Sequence, residues 1–361
     1  MLSDNKRFVF ITGGTGFIGS YTVDEFIGNN WHPIVLVHRT ASPQLKEMER
    51  KGLITMVTGD AADEYALRSA FNETIRKCRC VPERVVHCAG RASDMGRDKD
   101  FKAINFDSLR YLTRIVSEFG VNKIVFISST DVYGLKDFSH EQEEELTFFR
   151  HPSNPYPAYK IAAETWLRAH LAPERYSIVR PAAVWGAGDR TLTPRFVALL
   201  RKSPWIIHFG PWKGKNRWPL AHVRNVAAAI YIAATDEDLS GKAVHVLDTE
   251  YTSVDEFYRM LAMVYTPGKT FRSVSLPFWI GYSLGFAATT LSNLLRRDCP
   301  IFDPTLYGLY SASANLNFSN RHFLAYMKRA NRQPITREQG LTELAKEVEQ
   351  HTPIVRSSRP S

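Results

Sequence analysis

Short apolar runs alternate with stretches of helical apolar spacing through the first half of the chain. The strand-like runs are Arg7–Ile11, Pro33–Val37, Leu53–Asp60, Arg84–Gly90 and Lys123–Ser129. Between them, apolar residues recur every three or four positions, as in Phe17–Ile27, Ala66–Ile75 and Leu109–Phe119. Buried parallel strands are nearly continuous in apolar residues, and their alternation with helices indicates a sheet covered on both faces. The pattern predicts an α/β fold with a doubly wound parallel sheet of the Rossmann type.

A glycine-rich turn, Thr12–Gly19, joins the first strand to the first helix. Strand, glycine turn and helix in this order are typical of pyrophosphate binding, because glycines let the backbone approach and the helix N-terminus offers N–H groups. A merely flexible glycine loop is the less favoured alternative. The residues assigned to the cofactor are Gly13, Thr15, Gly16, Phe17, Ile18 and Gly19.

The second strand ends in His38 and Arg39. NAD-binding folds usually carry an acid about 20 residues past the glycines, which accepts from the ribose 2′-hydroxyl. A guanidinium would instead pair with a 2′-phosphate. We therefore expect NADP(H), with NAD possible, although an arginine that is merely solvated at a strand end is a live alternative.

Polar or small residues follow the next strands. Asp60, with Ala61 after it, is placed to meet the adenine amino group, and Cys88, Ala89 and Gly90 are small enough for a nucleotide to pass closely. Ligands of such sheets lie outside the carboxyl ends of the strands. The agreement of several strand ends predicts one nucleotide site at this edge.

Tyr156 and Lys160 lie four residues apart in a predicted helix, so their side chains share a face. A neighbouring ammonium favours phenolate and is expected to lower the pKa of the tyrosine. A phenol tuned in this way can exchange a proton with a substrate oxygen during hydride transfer. The pair predicts a redox enzyme.

These motifs together resemble the extended short-chain dehydrogenases/reductases. The matching runs are Thr12–Gly19, His87–Gly90, Ser128–Gly134, Tyr156 with Lys160, Arg180–Gly186 and His222–Ala227. The chain is most similar to the 3β-hydroxysteroid dehydrogenase-like branch, whose members act on sterols and other lipophilic alcohols or ketones. The resemblance implies a triad of Ser129, Tyr156 and Lys160: Ser129 holds the substrate oxygen, Tyr156 exchanges the proton, and Lys160 lowers the phenol pKa and binds the nicotinamide ribose. Ser128 is the fallback hydroxyl.

The resemblance also implies that Asn105, Pro181, Ala183 and Val184 lie beside the cofactor. The family's Asn-x-x-Gly-Thr pattern is broken after Asn105, which weakens that assignment. Nucleotide-sugar epimerases and dehydratases are the main alternative. They typically carry Arg-x-x-Asn where this chain has Ala183, which cannot donate a hydrogen bond to a diphosphate. A non-catalytic NADP(H)-binding protein is a third class, against which the intact triad argues.

Length and composition add the organisation. With 361 residues, 44% of them hydrophobic, the chain exceeds one average domain. We expect a nucleotide-binding domain over 1–180 and about 221–250, a smaller substrate-binding cap over 181–220 and 251–350, and a flexible tail over 351–361. The polar N-terminus and four cysteines favour a cytoplasmic protein, with membrane association possible.

The charge and the histidines of the chain bear on its binding partners. The net charge of +9 is spread along the chain without a nucleic-acid module, so no nucleic-acid partner is expected. The scattered histidines predict no metal site. The expected partner is a small hydrophobic substrate, and a homodimer is possible.

The stretch 273–295 carries no charge and is followed by Arg296 and Arg297. Three interpretations are open: a buried cap helix lining an apolar pocket, peripheral membrane contact through 273–297, or a membrane span made poor by Pro277, two glycines and many polar residues. The buried cap helix is the favoured interpretation, and it predicts that Phe286 faces the pocket.

Overall fold

The computed structural model describes residues 6–351 except 153, 296, 298 and 299. Seven parallel strands form the main sheet in the order β10-β6-β5-β4-β1-β2-β3. The strands are β1 (Arg7–Thr12), β2 (Trp31–Val37), β3 (Thr55–Thr58), β4 (Arg84–His87), β5 (Lys123–Ile127), β6 (Tyr176–Pro181), β7 (Ala183–Trp185), β8 (Trp205–Phe209), β9 (Leu220–His222), β10 (Ala243–Val246) and β11 (Arg272–Leu276).

Helices cover both faces of this sheet. They are α1 (Phe17–Gly28), α2 (Pro43–Arg50), α3 (Glu64–Cys78), α4 (Asp98–Lys102), α5 (Ser108–Glu118), α6 (Pro155–His170), α7 (Leu192–Lys202), α8 (Val223–Thr235), α9 (Val254–Tyr265), α10 (Phe278–Leu294), α11 (Leu306–Ser313), α12 (Arg321–Arg329) and α13 (Arg337–His351). The doubly wound Rossmann-type fold predicted from the sequence is confirmed.

The period-two alternation of strand side chains divides the core between the two faces. In β1, Val9 and Ile11 belong to the cluster under α1 and α8, whereas Phe10 belongs to the cluster under α3, α5 and α6. All three side chains are fully buried. This two-sided burial explains why the strands are continuous apolar runs in the sequence.

The remaining strands form two small parallel pairs, β7 with β9 and β8 with β11. β7, β8 and β11 belong to the part of the chain expected to form the cap, together with α7, α9, α10 and α11, whereas β9 crosses the expected boundary after residue 220. β10 returns to the main sheet beside β6, and α12 packs against α8 and β10. The exact division into two domains stays a prediction, and residues 352–361 of the expected tail lie outside the described part.

Helix α10 differs from the favoured interpretation of its sequence. Its buried positions are the small residues Gly281, Gly285, Ala288 and Ser292, whereas Phe286 is 53% exposed. The interpretation as a buried helix whose large apolar side chains line a pocket is therefore wrong. Among the residues that the structure describes, no helix combines the length and the apolar character that crossing a bilayer requires.

Candidate active site

The turn after β1 packs directly against the end of β4. Gly13 has a φ of 70°, and a Cβ atom there would lie 2.5 Å from the backbone nitrogen of Ala89. A Cβ at Gly19 would lie 2.0 Å from the carbonyl oxygen of Gly13. Only glycine fits such contacts, and the N–H groups of Phe17 and Ile18 at the start of α1 are left without intrahelical acceptors. The turn is thus a cradle suited to a pyrophosphate.

The same two strand ends are joined by a buried histidine. One ring nitrogen of His87 lies 2.7 Å from the Thr12 hydroxyl, and the other lies 3.0 Å from the Ser108 hydroxyl. Burial, aided by the Lys160 charge, lowers the pKa of His87 to about 3, so the ring is neutral. It therefore fixes the ends of β1 and β4 without adding charge to the cradle.

The ends of β2 and β3 bring the expected adenosine-side residues together. His38 Nδ1 lies 3.2 Å from Asp60 Oδ2, and Asp60 Oδ1 accepts from the N–H of Ala62, next to Ala61. Both side chains remain accessible, and Arg39 is exposed beside them. An acid is therefore present at this edge, supplied by β3 instead of β2.

Lys160 is almost fully buried and points toward the end of β4. Its Nζ donates to the carbonyl oxygen of Ile127 at 2.7 Å, and a Cβ atom at Gly90 would lie 3.3 Å from this Nζ. Burial lowers the pKa of Lys160 to about 8, against the opposing influence of Cys88 and Glu164. The ammonium thus lies where β4 and β5 end, alongside the small residues expected to pass a nucleotide.

The Tyr156 phenol has Ser129 and Asp131 as polar neighbours. Burial raises the pKa of Tyr156, the Asp131 carboxylate raises it further, and the Ser129 side chain lowers it. The expected lowering by Lys160 is absent, because the ammonium is 6.0 Å from the ring centroid and donates to Ile127. The direction predicted for this pKa is therefore wrong, and burial keeps the phenol protonated at neutral pH.

Asp131 is the most informative residue that the sequence reasoning passed over. It lies inside the matching run Ser128–Gly134, but the sequence alone assigned no role to it. Its carboxylate accepts a hydrogen bond from the Tyr307 hydroxyl, and its backbone N–H donates to Ser129 Oγ at 3.2 Å. Burial raises the pKa of Asp131, and the side chains of Tyr307 and Ser129 lower it. Tyr307 belongs to α11, so this carboxylate connects the segment after β5 to α11.

A second group of polar residues lies near Tyr307, and the sequence assigned no role to it either. Arg195 of α7 donates to Asp94 at 3.0 Å and also pairs with Asp303. Thr305 donates to the same Asp94 oxygen. Asp94 also raises the pKa of Tyr307, so the two groups are neighbours. These residues come from three distant segments, and no local motif marks them.

Behind the site, a buried ion pair fixes the helix that carries Tyr156 and Lys160. Glu164, one turn after Lys160, accepts from Arg180 Nε of β6 at 2.9 Å. Arg180 also donates to the Tyr133 hydroxyl, which lies 2.8 Å from His245 Nε2 of β10. Burial disfavours the charge on Arg180, yet Glu164 and Tyr133 leave its pKa raised. The network ties α6, β6 and β10 into one unit.

The remaining expected cofactor residues lie at the same sheet edge. Asn105 is fully buried in a π-helical turn over 103–107, and its amide exchanges two hydrogen bonds with the backbone of Arg91. It thus supports the loop after β4, as π-turns near functional sites commonly do. Pro181 ends β6, and Ala183 and Val184 begin β7 beside β9. Ser128 Oγ is buried and has no hydrogen-bond partner among the residues that the structure describes.

Comparison with known proteins identifies the family. The sequence model of the NAD dependent epimerase/dehydratase family matches residues 9–246, which is more than half of the chain. The chain belongs to this family. Its members and the relatives below indicate an NAD-dependent oxidoreductase or epimerase of the extended short-chain dehydrogenase/reductase type.

Two relatives are, by their names, a reductase of a nucleotide-linked sugar and a dehydrogenase of a sterol. The chain is 28% identical over 194 residues to a dTDP-4-dehydro-6-deoxy-D-allose reductase of Streptomyces bikiniensis, a match that covers 51% of this chain and 57% of the reductase. It is 24% identical over 349 residues to a decarboxylating sterol-4-alpha-carboxylate 3-dehydrogenase of Dictyostelium discoideum, covering 93% of this chain and 99% of that protein.

Solved structures agree on the fold. An epimerase from Methanothermobacter thermautotrophicus superposes with a TM-score of 0.71 at 18% identity, covering 96% of this chain and 93% of the other. A UDP-glucose 4-epimerase from Thermotoga maritima superposes with a TM-score of 0.67 at 20% identity, covering 95% and 99%. At these identities the likeness concerns the fold alone.

The residues present fit the nicotinamide dinucleotide that the family uses. The cradle at Gly13 and Gly19 excludes side chains, α1 begins beside it, and Gly90 leaves the path toward Lys160 open. Tyr156, Ser129 and Asp131 lie together beyond Lys160, where Tyr307 of α11 donates to Asp131. The arrangement can hold a dinucleotide along the strand ends and present a protonated phenol to a substrate oxygen.

The first prediction concerns Gly13→Ala. A left-handed alanine costs roughly 1–2 kcal/mol before its clash with Ala89, so NAD(H) should bind at least about tenfold more weakly. Isothermal titration calorimetry gives the affinity, and thermal unfolding shows whether the variant folds. Gly28→Ala at the end of the same helix is the control, because its Cβ meets no atom within 4 Å. A folded Gly13→Ala variant with unchanged affinity would contradict the cradle.

The second prediction concerns Asp131→Asn. The Asp131 charge raises the pKa of Tyr156, so removing it should shift the midpoint of the pH–rate profile of alcohol oxidation to lower pH. The profile of kcat/KM is the measurement. Asp98→Asn is the control, since Asp98 accepts from the exposed Tyr159 instead. A midpoint that stays fixed or rises in Asp131→Asn would show that Tyr156 is not the titrating group.

Proposed function

We propose that the protein is an NAD(P)-dependent oxidoreductase that interconverts a secondary alcohol and a ketone on a lipophilic, sterol-, terpenoid- or polyketide-like substrate. The main support is that similarity to the sterol dehydrogenase of Dictyostelium discoideum runs through 93% of the chain. The match to the Streptomyces allose reductase covers 51%, and that to the Bacillus subtilis UDP-glucose 4-epimerase covers 47%. Resemblance through the substrate-binding part thus favours the sterol class.

The mechanism assigned to the site follows from its hydrogen bonds. When bound, the nicotinamide accepts or supplies the hydride at the carbinol carbon. In the reducing direction, Tyr156 gives its phenolic proton to the carbonyl oxygen, and Ser129 holds that oxygen by a hydrogen bond. A phenol whose pKa is raised by burial is protonated at neutral pH, as this donor must be. Lys160, with its ammonium beside Gly90, binds the ribose hydroxyls.

The third prediction is a loss of turnover in Tyr156→Phe with cofactor affinity retained. Deleting the proton carrier typically costs about 10²–10⁴-fold in rate. Stopped-flow hydride transfer and a cofactor titration measure the two quantities separately. Tyr159→Phe, in the same helix but with an exposed hydroxyl bound to Asp98, is the matched control. A near-wild-type rate in Tyr156→Phe would remove Tyr156 from the mechanism.

We also propose NADP(H) as the preferred cofactor. Arg39 is exposed at the end of β2, where a 2′-phosphate would be recognised. The nearby Asp60 carboxylate is paired with His38 and accepts from the Ala62 N–H, which moderates its repulsion of a phosphate. The support for NADP(H) is the positive charge of Arg39 at the end of β2. The family as a whole is described as NAD-dependent.

The fourth prediction is that Arg39→Asp shifts preference from NADP(H) to NAD(H). Losing a charge-assisted hydrogen bond costs about 1.5–3 kcal/mol, or roughly ten- to a hundredfold in NADP(H) affinity. Fluorescence titrations with both cofactors measure the ratio. Arg76→Asp, a charge reversal at another exposed arginine near the end of α3, is the control. Wild-type protein that already prefers NAD(H) would refute the cofactor proposal.

A nucleotide-sugar epimerase or dehydratase is the second candidate. The observation that favours it is the polar wall formed by Asp94, Arg195 and Asp303, which suits a hydroxyl-rich ligand. A panel of sterols, terpenoids, 3-keto lipids and nucleotide sugars, followed at the absorbance of the reduced nicotinamide, separates the two classes. Turnover of lipophilic alcohols or ketones supports our proposal, and turnover confined to nucleotide sugars rejects it.

A further inference from the structure

Helix α10 carries its large apolar side chains on the outside of the molecule. The residues that form this surface, here named the α10 outer face, are Trp279, Tyr282, Leu284, Phe286, Leu291 and Leu294. Their exposed fractions range from 41% for Leu291 to 75% for Leu294. A cap helix that only packed against its own protein would turn such residues inward. An exposed apolar surface of this kind indicates contact with another molecule or a membrane.

The inner face of α10 cannot exchange places with the outer one. A Cβ atom at Gly281 would lie 2.7 Å from side-chain atoms of Leu309 and Phe209, and one at Gly285 would lie 3.2 Å from the backbone of Leu306. Only glycine fits these contacts without movement. Rotating the helix to bury Phe286 would drive larger side chains into the same places. The outward orientation is thus fixed by the packing.

Arginines flank the stretch of chain that carries the α10 outer face. Residues 273–295 contain no Asp, Glu, Lys, Arg or His, and the exposed Arg272 and Arg297 lie on either side. The Arg272 guanidinium lies 6.0 Å from the ring of Trp205, which is itself 48% exposed. Aromatic and aliphatic residues beside arginines are the composition that settles at the interface of an anionic bilayer.

We propose that the α10 outer face is a docking surface for an anionic phospholipid bilayer, with α10 lying in the interfacial plane. A second copy of the chain fits less well. A two-fold contact through this face would bring its cationic rims together, and 273–295 offers no carboxylate to compensate them. A bilayer with anionic headgroups matches both the apolar centre and the arginines.

The position of α10 connects this surface to the candidate site. α10 packs on α11, and α11 carries Tyr307, which donates to Asp131 beside Tyr156. One helix, α11, therefore separates the α10 outer face from the candidate active site. Docking would place this site next to a bilayer in which lipophilic molecules dissolve. The docking itself does not depend on the proposed reaction, because it rests on α10 and the arginines alone.

The test is vesicle flotation of the full chain at low ionic strength. One vesicle type is pure phosphatidylcholine and the other contains about 30% phosphatidylserine, a headgroup that attracts Lys and Arg. The variants are Trp279→Ser with Phe286→Ser, and Arg272→Gln with Arg297→Gln. The control is Tyr65→Ser, which removes a ring that is 87% exposed on α3. Cofactor affinity and thermal unfolding verify that each variant folds.

The wild type and Tyr65→Ser should float with the anionic vesicles, and binding should weaken with salt. The aromatic pair of substitutions should weaken binding at least tenfold, or about 1.4 kcal/mol. The arginine pair should weaken anionic binding about tenfold or more and remove most of its salt dependence. Cofactor affinity should stay constant in all of them.

Three results would overturn the docking proposal. One is wild-type protein that floats with neither vesicle type, and another is equal flotation of the aromatic variant. The third is a wild-type dimer, seen by light scattering, that Trp279→Ser with Phe286→Ser converts to monomer without any vesicle binding. That result would make the α10 outer face a contact between copies. A loss of turnover with flotation intact would instead count against the proposed reaction alone.

Discussion

Gly13 lies against the backbone of Cys88 and Ala89 with no space for a Cβ atom, and this contact holds the first turn to the end of β4. The neighbouring strands of β1 are β2 on one side and β4 on the other, so the sheet order reverses here and a crevice opens. His87 joins the same ends through Thr12 and Ser108. The nucleotide cradle, the small residues after β4 and the position of Lys160 all depend on this close approach.

From that crevice, buried polar contacts set the place of the proton-transfer groups. Glu164 and Arg180 anchor α6 to β6, which fixes the helix positions of Tyr156 and Lys160. On the opposite side, Tyr307 and Arg195 connect α11 and α7 to Asp131 and Asp94. Removing one partner of a buried pair leaves an unpaired charge, which typically costs about 3–5 kcal/mol. The site is thus pre-organised by the contacts of α7 and α11 as much as by the sheet.

The sequence was sufficient for the sheet and its ligand edge, because buried strands and glycine turns have local signatures. It failed for α10, where apolar residues surround the helix and only the tertiary contacts of Gly281 and Gly285 decide which face is buried. It also failed for the pKa of Tyr156: spacing suggested Lys160 as the dominant influence, whereas burial and Asp131 dominate. Tyr307 and Arg195 reach the site from segments far from any motif, so folding alone brings them there.

The central claim is net hydride transfer between a nicotinamide and the carbinol carbon of a lipophilic substrate, with the proton passing through Tyr156. Its most direct test is reduction of an accepted ketone by a cofactor deuterated at nicotinamide C4, with the product analysed by mass spectrometry and NMR. The account predicts one deuterium on the carbinol carbon of a single stereoisomer, and transfer that is about 10²–10⁴-fold slower in Tyr156→Phe. Product without deuterium, or an epimer formed without consumption of added cofactor, would contradict it.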